Sequence, residues 1–227
     1  MDEFIEELME SMDCGTKYIG NIPIPNAVIN SWIIMAILMV LTLVFVRNLK
    51  VVPTSKVQMV VEAIVQFINN FFGGILGEAG KGYIPFLGTV MIYIVFANIC
   101  GLFGLEPPTK DLRVTAALAL MSICLIEWSG IHRKGVLGWL KSFLEPMPLL
   151  LPINILEVGI RPLSLCMRLF GNVLGAHIIM ELIKINIPVG VPLPFSMYFD
   201  VFDGIIQAYV FVFLTSLFMQ EKMEMEE

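Results

Sequence analysis

Apolar residues run along this chain in long blocks separated by short polar stretches. Residues 28–46 (Val28 to Val46) carry no charge and are about long enough to cross a bilayer as a helix. Arg47, Lys50 and Lys56 follow at once. Residues 54–72 differ in kind: Val57, Val60, Val61, Ile64, Val65, Ile68, Phe71 and Phe72 recur at helical spacing, and Lys56, Gln58, Glu62, Gln66, Asn69 and Asn70 fill the other face. With Pro53-Thr54-Ser55 as its start, this segment is expected to be an amphipathic helix, lying on the membrane surface or covering its own protein. Residues 83–105 are again free of charge and span-length. A polar turn, Glu106 to Asp111, leads into 114–131, whose only charge is Glu127. Residues 147–185 are apolar overall yet hold Glu157, Arg161, Arg168, His177, Glu181 and Lys184. Pro188, Gly190, Pro192 and Pro194 mark a reverse turn. Residues 195–220 run back with Asp200 and Asp203 inside, and 221–227 form a charged tail. The pattern predicts an all-α integral membrane protein in one membrane domain, 1–227: five transmembrane segments plus one amphipathic surface helix, the last two helices forming a long charged hairpin.

Composition narrows the function. Of the 227 residues 57% are hydrophobic and 15% charged, with a mean hydropathy of +0.84; a soluble domain has about 45–50% and about 25%. So much apolar surface does not fit into one soluble core of this size. A soluble enzyme and a disordered chain are excluded, and a net charge of −6 excludes a nucleic-acid binder. The four cysteines (Cys14, Cys100, Cys124, Cys166) have no CxxC spacing and read as small hydrophobes. The first thirteen residues are acidic, whereas a secretory leader begins with positive charge, so residues 28–46 are expected to be a retained span. Basic residues cluster after the first span and again at His132-Arg133-Lys134 and Lys141. By the positive-inside rule both clusters are cytoplasmic, the external N-terminal segment is 1–27, and the tail is cytoplasmic.

The charges at membrane depth carry the chemistry. A central arginine costs from roughly 2.5–3.5 up to about 10–17 kcal/mol, depending on how it is hydrated. Snorkelling to the interface accounts for Lys184 and Glu127. It does not account for Arg168, which lies roughly 25 Å of helix from either end of its segment and stays protonated. At about 100° per residue, Glu157, Arg161, Ser164, Arg168 and Asn172 fall within roughly 40° of one line. His177 and Glu181 lie nearly opposite. Asp200, Asp203 and Gln207 form a stripe on the last helix. In an antiparallel hairpin Arg168 shares a depth with Gln207, Asn172 with Asp203, and His177 with Asp200. Polar groups thus approach a permanent central cation from both faces, an arrangement suited to a proton or cation relay blocked in the middle.

Arg161-Pro162-Leu163-Ser164-Leu165-Cys166-Met167-Arg168-Leu169-Phe170-Gly171-Asn172 closely resembles the signature of subunit a of rotary F-type ATP synthases. Gln207-Ala208-Tyr209-Val210-Phe211-Val212-Phe213-Leu214-Thr215 resembles the family's last helix, and the order of spans matches over nearly the whole chain. Cys166 and Met167 stand where small or apolar residues are usual. The resemblance implies a stator subunit in the cell (inner) membrane, not itself an enzyme. Its implied partners are a ring of c subunits, b-type peripheral stalk subunits and, indirectly, the catalytic sector. Arg168 would face the ring's carboxylates between two offset half-channels. His177 and Asp200 match the outer half-channel, and Asn172 and Gln207 match polar positions near the arginine. Glu157, Arg161 and Ser164 would line the inner path. Asp203 is not a standard family position; it either joins the outer channel or is simply hydrated there. In this family the ring's own site normally sets the choice of H⁺ or Na⁺.

Two rivals make different demands. A secondary transporter using Arg168 for an anion would carry inverted repeats and broken helices in matching halves; neither is evident. A metalloenzyme could start from His177 and Glu181, but no third ligand is near and there is no HExxH. No cofactor is expected, and no phosphate loop of the G-x-x-x-x-G-K-[ST] type is present.

Overall fold

The computed structural model describes residues 16–19, 22–47, 55–103, 105–143, 151–186 and 192–224. A two-stranded antiparallel hairpin comes first, β1 (Thr16–Ile19) and β2 (Ile22–Pro25), with Thr16 opposite Pro25 and Ile19 opposite Ile22. The elements described after it are helical: α1 (Asn26–Val46), α2 (Lys56–Leu76), α3 (Ile84–Ile99, with 3₁₀ turns on either side), α4 (Leu112–Ser142), α5 (Leu151–Asn186), the short α6 (Pro192–Ser196) and α7 (Gly204–Met223). A π-helical stretch, Met197–Asp203, joins α6 to α7. Among the described residues six helices are long and apolar enough to cross a membrane. They include α2, which the sequence sets apart by its one-sided pattern.

α7 is the central element. It packs against α2, α3, α4 and α5 and buries Ala208, Phe211, Val212, Thr215, Ser216 and Met219. Of these, Ala208, Phe211, Val212 and Met219 join Phe72 of α2, Leu87 and Ile94 of α3, Ile126 of α4, and Leu165 and Leu169 of α5 in one apolar core. Phe71 of α2 meets Tyr209 and Phe213 of α7, with ring centroids 5.1 and 6.1 Å away. Buried hydroxyls fold back on their own helices, as a water-free interior requires. Thr215 donates to the Phe211 carbonyl and Ser129 to that of Ile126. α1 does the reverse of α7: Trp32, Met39, Leu43 and Val44 are exposed, an apolar surface that only lipid or another protein covers at low cost.

α4 starts on Asp111, whose carboxylate caps the Arg113 N–H at 2.8 Å. It breaks at Gly135, where φ is 73°, a value glycine adopts without a Cβ penalty. Beyond the break, Trp139 Nε1 donates to Glu127 Oε2 at 2.7 Å. Glu127 is therefore half-buried and held by an indole, where the sequence implied snorkelling. The Lys184 side chain lies outside the described residues, as does the start of the expected 147–185 segment up to 150.

Candidate functional site

α5 presents two adjacent ridges. Leu165, Cys166 and Leu169 are buried, with Cys166 Sγ 3.7 Å from Thr115 Oγ1 of α4. One step around the helix, Ser164 and Arg168 are exposed. The packing that buries the apolar ridge therefore turns Arg168 outward, away from the core. Among the described residues it has no hydrogen bond or ion pair.

On one side of Arg168 along α5, a charged cluster is closed within the chain. Arg161 Nη2 reaches Glu157 Oε2 at 2.9 Å and Glu221 Oε1 of α7 at 2.6 Å. The guanidinium lies over the Phe218 ring, 4.7 Å from its centroid. Its side chain is only 11% exposed, against 49% for Glu157 and 57% for Glu221. Glu221 escapes a sequence reading because it heads an acidic tail. The structure keeps it in α7, which runs to Met223.

On the other side two carboxylates have neutral partners. Asn172 Nδ2 donates to Asp203 Oδ2 at 2.7 Å, tying α5 to the π-helical stretch at the depth the antiparallel register predicts. Asp200 Oδ2 accepts from Ser196 Oγ at 2.6 Å, four residues back on its own helix. His177, expected at the same depth, is half-buried on α5. Gln207 is buried, and its Nε2 has no partner among the described residues. Ser196 and Asn98, which bonds to Gly204 just after Asp203, are polar contributors that the sequence reading missed. Spacing alone could have flagged Ser196, four residues before Asp200; a single amide in the apolar 83–105 run gives no such signal. No group of three or more His, Cys, Asp or Glu suited to a metal ion occurs among the described residues.

Packed helices of spanning length, two of them carrying charged residues along their length, define a multi-pass membrane protein. Residues 28–220 match the ATP synthase A chain family. The chain therefore belongs to the subunit a family of F-type ATP synthases, a non-catalytic, ion-translocating membrane subunit. It is 37% identical over 199 residues to ATP synthase subunit a of Moorella thermoacetica, covering 87% of this chain and 90% of that one. It is 33% identical over 236 residues to a relative from Propionigenium modestum named ATP synthase subunit a, sodium ion specific, covering 97% and 81%. A third relative, ATP synthase subunit a 2 of Bradyrhizobium sp. strain BTAi1, is 34% identical over 202 residues, covering 88% and 90%. These relationships support a stator role in the membrane sector, alongside the c-ring and the rest of the complex.

Proposed function

We propose that this chain couples ion translocation to rotation of the c-ring through two offset half-channels that meet at Arg168. The observation that carries the reading is Arg168 itself: mid-helix, turned outward, and without a counter-ion among the described residues. A permanent cation at membrane depth needs an anion or water beside it, and the ring's carboxylates supply the anion. Gly171 and Gly175 lie within roughly 60° of Arg168 around α5, and a Cβ added to either meets nothing within 4 Å. A neighbouring helix has room to approach there.

His177, Asp200, Asp203, Asn172 and Gln207 serve the outer half-channel; Glu157, Arg161 and Ser164 serve the inner one. A ring carboxylate meeting Arg168 is favoured in its ionised form. It releases its ion toward one half-channel and takes up another from the second before re-entering lipid. One charge crossing 100 mV releases about 2.3 kcal/mol, which drives the turn. α2 lies along the cytoplasmic face, both basic clusters are cytoplasmic, and the N-terminus is external. b-type stalk subunits hold this chain against the ring's torque.

The test is Arg168→Ala in the assembled complex. Ion-driven ATP synthesis is expected to stop while subunit content holds. Arg168→Lys is expected to fail substantially too, because an ammonium lacks the planar fork and loses its proton more readily when buried. Parental coupling in the assembled Ala variant overturns the role.

A further inference from the structure

Asp200 and Asp203 both sit on the π-helical stretch Met197–Asp203. A π-helix bonds i to i+5, is rare, and occurs mostly as single turns inside α-helices. Besides the Ser196 and Asn172 bonds to its two carboxylates, the stretch is met at its end by another element. Asn98, near the end of α3, is 4% exposed. Its Nδ2 donates to the Gly204 carbonyl at 3.1 Å, and its Oδ1 accepts from Thr109 Oγ1 at 2.9 Å. Gly204 directly follows Asp203, and a Cβ there would fall 2.7 Å from Asn98 Cβ. The fit is repeated three residues on, in the 3₁₀ turn Cys100–Phe103 that follows α3: a Cβ on Gly101 would fall 2.9 Å from Asp200 Oδ1. Thr109 is fully buried in the 3₁₀ turn Pro108–Lys110, so the amide also ties that loop to the stretch.

A buried amide is costly unless both its donor and acceptor sides are paired. Here both are, and one partner is the backbone carbonyl just past the second carboxylate. Gly101 leaves room for the first carboxylate. The end of α3 and the turn after it therefore meet the π-helical stretch beside both acids.

We propose that Asn98 and Gly101 are positioning residues of the outer half-channel: with Thr109 they form a seat that fixes the π-helical stretch, and through it the depth and direction of the Asp200 and Asp203 carboxylates. This rests on the half-channel reading of those two acids.

The experiment uses the intact complex in inverted vesicles at matched subunit content. It measures ATP-driven ion pumping and the coupling-ion concentration for half-maximal rate. Asn98→Leu and Gly101→Ala are each expected to lower pumping roughly tenfold to hundredfold, as displaced reacting groups do, and to shift the half-maximal concentration. Thr109→Val, which keeps shape but loses the donor, is expected to show a smaller fall that Thr109→Ser restores. Asp200→Ala and Asp203→Ala are run alongside. If both pump normally, the half-channel reading fails and the seat with it. If either acid variant is impaired while Asn98→Leu and Gly101→Ala behave as the parent, the seat alone is refuted. Should Asn98→Leu fail to assemble, parental rate and half-maximal concentration in Thr109→Val refute it; a fall that serine rescues upholds it.

Discussion

Two arginines stand about two turns apart on one face of α5, in opposite surroundings. Arg161 is closed off by its own chain, with two carboxylates and an aromatic ring around it. Arg168 is turned outward with no partner among the described residues. The first region neutralises its charge within this subunit through Nη2, although Arg161 Nη1 is buried without a hydrogen-bond partner among the described residues. The middle region leaves the same charge for something else to neutralise. A helix that carries both forms shows that the exposed cation is not a failure of pairing. Within one helix the first arrangement pairs its charge inside the subunit, and the second leaves its charge open to a group outside it.

The sharpest way to break this contrast is to make the middle resemble the inner region. Ser164→Glu sets a carboxylate four residues before Arg168, as Glu157 stands to Arg161. It is expected to capture the guanidinium and cut ATP synthesis by more than about tenfold, since the group can no longer answer to the ring. Synthesis at the parental rate would remove the reason for Arg168 to be free.

A somewhat smaller effect is expected at His177 and Asp200. His177→Leu with Asp200→Leu keeps apolar packing but removes the proposed relay, so the assembled variant is expected to conduct poorly. The exchange His177→Asp with Asp200→His is expected to retain part of the flux. Normal pumping by the double Leu variant in inverted vesicles would leave these residues with packing alone.

Arg161→Gln comes next. It leaves two half-exposed carboxylates without their cation, and pumping is expected to fall a few-fold while coupling survives. Complete uncoupling would erase the distinction between the two arginines. The smallest effect is expected for Glu221→Gln. It removes one side of a shared, partly exposed pair worth about 1 kcal/mol or less. Thermal stability of the complex would shift slightly and synthesis would stay near the parent; a loss as large as that of Ser164→Glu would give Glu221 a role in transport.

Much of this was legible in the sequence because membrane depth is written in apolar runs. The charge-free 28–46 and 83–105 stretches leave little choice but helices of spanning length. The antiparallel register was legible too, since helical rise is constant: it sets Asn172 beside Asp203, where a hydrogen bond joins them. Other features leave no periodic trace. The π-helical stretch changes backbone bonding without a residue signature. Asn98 is a single amide in an apolar run, and its two partners come from distant parts of the chain. Glu221 looks like the start of a solvated tail until α7 carries it beside Arg161. The break at Gly135 sits among basic residues that the sequence reads only as an interface marker.

The most direct measurement of the difference between the two arginines is an electron cryomicroscopy map of the intact complex at side-chain resolution. The expected map has Arg161 still bridging Glu157 and Glu221, and Arg168 with its nearest carboxylate on a ring subunit. A map in which Arg168 is ion-paired to a carboxylate of its own chain, or faces lipid away from the ring, would contradict it.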